Sequence, residues 1–219
     1  MTDPIDIETG PAPRAAVIVL HGLGADGNDF VPICHELDLG AIGDVRFVFP
    51  HAPERPVTIN GGYRMRAWYD IYAADLQRRE DEAGLRESMA LVQGLIAREI
   101  ERGIPAHRIV LMGFSQGAAM TLLTGLRHGE RLAGMVALSG YLPLAASTAA
   151  ERSQANAGLP IFMAHGRHDG VVDIARARAA EALLKELGYP VQWQDYPIQH
   201  SVCLEEIQAL NAWLLARLA

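Results

Sequence analysis

The chain has little of what marks several classes of protein. It holds two cysteines, Cys34 and Cys203, in 219 residues. They lie far apart in apolar helical patterns, so two buried reduced thiols are expected rather than a disulfide framework. No window offers about 18 uninterrupted apolar residues, the length that a membrane-spanning helix needs. Met1 to Arg14 is acidic and proline-bearing, without the basic start and apolar stretch of a secretory signal. A cytoplasmic protein with a loosely ordered segment over residues 1–14 is the expectation. Basic charge is scarce too. The net charge is −7 and no basic run is long, which argues against nucleic acid or an anionic membrane as a partner. Repeats, linkers and a second domain are also missing, so residues 1–219 read as one domain.

What is present is apolar. Half the residues are hydrophobic and 21% are charged, the composition of a chain that packs a core. The apolar runs Ala15–Leu20, Val45–Phe49, Ile109–Met112, Gly134–Ser139 and Ile161–Ala164 read as buried strands, and Val191–Tyr196 alternates as another. Between them run helical patterns. Phe30, Ile33, Cys34 and Leu37 share a face, with Asp26 or Asn28 as a candidate cap. Leu85, Met89, Val92, Ile96 and Ile100 mark a long helix that Gly103 and Pro105 end. Further helices are expected over Ala118–Leu126, Ile174–Leu187 and Leu204–Leu218. His51 to about Arg79 shows no clean period, and Tyr141 to Gly158 reads as a surface excursion. Strands that alternate with helices predict an α/β fold, a mostly parallel sheet with helices on both faces.

In such a sheet, ligands bind beyond the carboxyl ends of the strands. The loop after the Ile109 strand is Gly113-Phe114-Ser115-Gln116-Gly117. A serine between two glycines at a strand-to-helix turn is a nucleophile elbow. The turn is tight enough that neither flanking position has room for a Cβ, and the strain lifts the serine hydroxyl above the sheet edge. A serine hydroxyl attacks only when a base takes its proton, and a carboxylate orients that base. Ser115, Asp169 and His200 follow one another in the order serine, acid, histidine, each just after a candidate strand. Asp173 is the alternative acid, although its place at a helix start suits a capping carboxylate. His165 and His168, spaced by three beside Asp169, are metal-ligand types. Nothing else completes such a site, so no metal is expected, and no cofactor. His21 is expected to hold its own loop by hydrogen bonds. A tetrahedral intermediate also needs donors for its oxyanion. The backbone N–H groups of Gln116, after the nucleophile, and of Leu23, in the early glycine loop, are the candidates. That loop has neither the lysine of a phosphate-binding P-loop nor the glycine spacing of a dinucleotide site.

Five stretches together resemble the phospholipase/carboxylesterase family, which includes the acyl-protein thioesterases. They are Leu20-His21-Gly22-Leu23-Gly24-Ala25-Asp26-Gly27, Pro56-Val57-Thr58-Ile59-Asn60-Gly61-Gly62, Trp68-Tyr69-Asp70-Ile71, the Ser115 elbow, and His165-Gly166-Arg167-His168-Asp169. The resemblance is to small bacterial carboxylesterases and runs from about Ala15 to the C-terminus. It implies an α/β-hydrolase fold without a large lid domain, the triad Ser115, Asp169 and His200, and Leu23 and Gln116 at the oxyanion hole. It implies that the Trp68 region helps wall the acyl site. The expected pocket is Gly22, Met65, Trp68, Tyr69, Val171, Val172 and Gln199. Gln199 stands where the family usually has glycine, which bears on acyl or alcohol preference. The implied substrates are small-molecule or lipid-like carboxylic esters, and alternatively lysophospholipids or thioesters on acylated proteins. A non-catalytic binding module of the same fold is the rival reading, and three filled triad positions weigh against it. Apolar positions near Ile71 to Leu76 suit either a homodimer contact or a fatty chain.

Overall fold

In the computed structural model, which describes residues 3–73 and 79–219, the mostly apolar runs become the inner strands. These are β2 (Ala15–Leu20), β3 (Val45–Phe49), β6 (Ile109–Phe114), β7 (Gly134–Leu138) and β8 (Ile161–Gly166), with β9 (Val191–Tyr196) at one edge. The edge at the other end is β1 (Ile5–Glu8), and the order is β1-β3-β2-β6-β7-β8-β9. Only β1 runs antiparallel to its neighbour. Every residue of β2 is buried because both sheet faces are covered. Ala16, Ile18 and Leu20 point into one core and Ala15, Val17 and Val19 into the other. The first core is closed by α2 (Glu82–Glu101), α3 (Gln116–Arg127) and α5 (Ile174–Glu186). The second is closed by α6 (Leu204–Leu218) and a short α1 (Ile33–Glu36). No large lid domain interrupts this order among the described residues.

Four expectations are corrected. Residues 5–8 are not loose. Ile5–Glu8 pairs with Phe49–Arg46, and its acids are tied by arginines: Asp6 to Arg98 and Arg102, Glu8 to Arg46. Four residues with two acids carry too weak a pattern to read as a strand, so the anchoring is tertiary. The helix expected around Phe30 to Leu37 is instead a 3-10 turn at Gly27–Phe30 and the single turn α1. Asp26 caps the 3-10 turn through Asn28 N, and Pro32, which has no N–H, separates the two pieces. The region after His51 contains a hairpin, β4 (Glu54–Val57) with β5 (Tyr63–Arg66), turned by Gly61 and Gly62 at positive φ. Pro56 is tolerated because this two-stranded ribbon is all edge. Finally, residues 141–158 are not only a surface excursion. They contain α4 (Ala145–Glu151), and Tyr141, Leu142, Thr148 and Asn156 are buried. Of the apolar positions near Ile71 to Leu76, Ile71 packs against the first core, whereas Leu76 lies outside the described residues.

Candidate active site

The elbow is built by exclusion of side chains. A Cβ on Gly113 would lie 2.3 Å from the Gly117 backbone, and one on Gly117 would lie 2.0 Å from the Leu20 carbonyl. Real side chains do not fit there, so β6 and α3 approach more closely than any other residue pair would permit. Ser115 adopts φ 55° and ψ −117°, a region that costs a non-glycine residue about 1–3 kcal/mol. Its N–H donates to Leu138 O at 2.8 Å and its carbonyl accepts Ala119 N–H at 3.2 Å. The backbone is thus held from the strand and from the helix while the hydroxyl faces away from both.

Three loops at the carboxyl edge of the sheet converge on that hydroxyl. His200, four residues past β9, places Nε2 2.9 Å from Ser115 Oγ. Its Nδ1 donates to Asp169 Oδ2 at 2.7 Å. The Phe114 ring lies against the imidazole, centroid to centroid 4.7 Å. Asp169 is the residue the structure joins to His200. Asp173 caps α5 through Ala175 N, as its place at a helix start suggests. The Asp169 side chain is fully buried, and its Oδ1 accepts the N–H groups of Val171 and Val172 at 2.8 and 2.9 Å. A buried carboxylate survives only with its lone pairs satisfied, and these are.

The glycine loop is fastened to the elbow from below. His21 is 1% exposed; its Nδ1–H donates to Gly22 O at 2.7 Å and its Nε2 accepts Ala52 N–H at 3.0 Å. Burial lowers its pKa, so it is a neutral imidazole with a structural task. Gly22 sits beside the elbow, where a Cβ would lie 3.4 Å from Ser115 Cβ, an ordinary van der Waals contact. The Leu23 N–H makes no hydrogen bond among the described residues. The Gln116 N–H heads α3, where the first amides have no intrahelical acceptor.

Three of the expected pocket residues, Trp68, Tyr69 and Val172, are corrected. Trp68 is completely buried and Tyr69 is 3% exposed, so neither walls an open site. Trp68 is a hub instead. Its Nε1–H donates to His21 O, its N–H to Gln116 Oε1, and its carbonyl accepts the Ser88 hydroxyl. Gln116 Nε2 donates to Tyr69 O at 2.7 Å. The Gln116 side chain, to which sequence reasoning assigned no task, therefore clamps the 68–69 segment to the nucleophile's own helix. Val172 is buried as well, within the first core. Met65 is half-buried, and its Sδ would lie 3.6 Å from a Cβ on Gly24. Val171 and Gln199 are exposed around the acid and the base. Gly166 is the residue that admits the Gln199 backbone, whose carbonyl would lie 2.2 Å from a Cβ there. No group of three or more His, Cys, Asp or Glu side chains among the described residues is arranged to hold a metal ion, and His168 is exposed.

A parallel sheet of this order, with a serine elbow after β6 and an acid and a histidine after β8 and β9, defines an α/β-hydrolase. The match to the family model described as phospholipase/carboxylesterase spans residues 5–217, and the chain belongs to that family. It is similar to acyl-protein thioesterase 1 of Neurospora crassa, at 45% identity over 93% of this chain and 87% of that one. It is 37% identical to acyl-protein thioesterase 1 of Yarrowia lipolytica, over 96% of this chain and 95% of the other. Among solved structures, Arabidopsis thaliana SOBER1 superimposes with a TM-score of 0.89 at 31% identity, covering 94% of this chain and all of that one. Zea mays acyl-protein thioesterase 2 does so with a TM-score of 0.86 at 28% identity, over 98% and 99%.

Proposed function

We propose that this chain is a serine esterase that hydrolyses carboxylic esters through an acyl-enzyme on Ser115. The observation that carries the reading is the His200 ring spanning Ser115 Oγ at 2.9 Å and Asp169 Oδ2 at 2.7 Å. Asp169 holds the Nδ1–H tautomer, which leaves the Nε2 lone pair for the serine proton. Oγ attacks the acyl carbon as its proton passes to Nε2. The carbonyl oxygen becomes an oxyanion, received by the N–H groups of Leu23 and Gln116. The tetrahedral intermediate collapses, the carbon–oxygen bond to the alcohol breaks, and Nε2–H protonates the leaving oxygen. Water then repeats the sequence on the acyl-serine. It gives a proton to Nε2, adds to the carbonyl carbon, and expels Oγ, which takes that proton back. The step needs no cofactor.

A second reading has the same chemistry with a thiol as leaving group: deacylation of S-acylated proteins. The names of the relatives at 45% and 37% identity support it. Two free cysteines, half-buried rather than buried as their apolar surroundings in the sequence suggested, support a reducing compartment, the cytoplasm, as the setting. Among the described residues no helix is long and apolar enough to cross a membrane.

The test is a p-nitrophenyl ester series from acetate to palmitate, run beside an S-palmitoylated peptide, with Ser115→Ala as control. Ser115→Ala is expected to lose on the order of 10⁴- to 10⁶-fold in kcat while keeping its melting temperature. Retained turnover in that variant sinks the nucleophile assignment. A maximum at short chains with an inert peptide selects the small-ester reading. Turnover that rises with chain length together with release of the peptide thiol selects the thioesterase.

A further inference from the structure

His165 is the last residue but one of β8, four residues before the acid, and no step of the proposed chemistry uses it. It is completely buried, and its ring stacks on Trp193 with planes 12° apart. Its Nε2 lies 2.8 Å from Val172 O and 3.3 Å from Asp169 Oδ2. The Val172 carbonyl can only accept, so Nε2 carries the proton and Nδ1 is the bare nitrogen. Burial lowers the pKa, so the ring is neutral and has one N–H to give.

That single N–H sits where it acts on the acid twice. It closes the turn whose Val171 and Val172 N–H groups hold Asp169 Oδ1. It also places a positive hydrogen beside Oδ2, the oxygen that receives His200. We propose that His165 is a positioning residue of the catalytic acid. It aims Asp169, and it moderates how strongly that carboxylate stabilises protonated His200. The proposal rests on the esterase reading for its effect on rate, but its electrostatic part can be read without turnover.

The sign follows from the charges. The titratable groups facing His165 are Asp169, Asp173 and His200. On its β9 side stands the uncharged Trp193, with Arg178 of α5 over that ring at 3.9 Å. His200 faces Ser115, Asp169, the Phe114 ring and, more distantly, His165. Removing the His165 N–H leaves Asp169 a stronger acceptor, so the imidazolium of His200 gains stability and its pKa rises.

His165→Phe keeps the ring and the stacking and deletes the donor. His165→Gln returns an N–H near the Nε2 position. NMR titration of the His200 ring carbons in wild type and both variants reads the pKa directly, and pH profiles of kcat/KM on a p-nitrophenyl ester read the rate. The Phe variant is expected to raise the His200 pKa and to lose about tenfold in kcat, a fraction of what general-base catalysis supplies. The Gln variant is expected to recover most of both. If the Phe variant does not fold, His165→Leu, which likewise lacks the donor, is read in its place by the same titration. A His200 pKa unmoved in the donor-free variant, or one that the Gln variant does not restore, overturns the proposal. An ester-inert wild type with a shifted His200 pKa would instead overturn the esterase reading and leave the positioning role standing.

Discussion

At the scale of residues, the site depends on which atom of each side chain holds a proton. Asp169 accepts the Nδ1–H of His200, and that one bond selects the tautomer with a free Nε2. In Asp169→Asn the amide fits the same buried slot but offers a donor where an acceptor is needed. The ring then turns its lone pair to the amide and presents Nε2–H to Ser115, a donor facing a hydroxyl that must lose its proton. The expected loss in kcat is about 10⁴-fold, with KM and the melting temperature little changed. Steady-state kinetics on p-nitrophenyl butyrate check it, and a loss below tenfold would mean that Asp169 is not the orienting acid. The three residues could be singled out in the sequence because the chemistry demands an order and each follows a candidate strand. The tasks of His165 and of the Gln116 side chain could not. Both depend on what lies across the fold: the Val172 carbonyl for one, the Trp68–Tyr69 backbone for the other.

At the scale of elements, what reads well is what is buried on both faces. The runs of β2, β3, β6, β7 and β8 are continuous because no side of them meets water. What reads poorly is held by partners distant in sequence. The strand β1, Ile-Asp-Ile-Glu, stays on the sheet through arginines of β3 and α2. The hairpin Glu54–Arg66 shows no apolar alternation because most of its two strands meets water. The centre of the β1 anchorage is Glu99 of α2, with a side chain wholly buried and bonded to Arg46 at 2.8 Å and Arg102 at 2.9 Å. Arg46 also bonds Glu8 at 2.7 Å. In Arg46→Met the methylenes are kept, but a buried carboxylate loses its main partner and β1 loses a tie. Breaking a buried pair from one side costs about 3–5 kcal/mol. Arg102 remains bound to Glu99, so the lower end, about 3 kcal/mol, is expected in urea unfolding. A change under 0.5 kcal/mol would show that this cluster does not anchor the edge. Ester turnover should be unaffected, since the anchorage lies at the edge strand β1 and the triad on loops after β6, β8 and β9.

At the scale of the whole molecule, stability against pH is a contest between buried bases and a buried acid that has no partner among the described residues. Burial is the leading cause that lowers the pKa of His21, His128 and His165. The unfolded chain takes up protons at these positions as the pH falls through about 6.5, while the folded chain does not. Their contribution is therefore whole above about pH 6.5 and is lost on acidification below it. Glu206, in the first turn of α6, works the other way. It is 1% exposed, and neither carboxylate oxygen has a hydrogen-bond partner among the described residues. Burial pushes its pKa up from 4.5 to about 7. Between those values the folded chain holds a proton that the unfolded chain has released, so this group loses stability as the pH rises toward 7. The rise corresponds to about 3 kcal/mol against the ionised form. Glu206→Gln removes that titration and leaves the three histidines. The variant is expected to be more stable than the parent at pH 8 by up to about 3 kcal/mol, and no more stable at pH 4.5. Its stability should then fall more steeply than the parent's between pH 6.5 and pH 4.5, because the largest offset to the histidines is gone and only the smaller upward shift of the half-buried Glu80 remains. Urea unfolding at pH 4.5, 6.5 and 8 measures this. A parent and variant with parallel pH curves would mean that Glu206 is ionised and paired in the folded protein, and that the α6 end of the His200 loop carries a charge at every working pH.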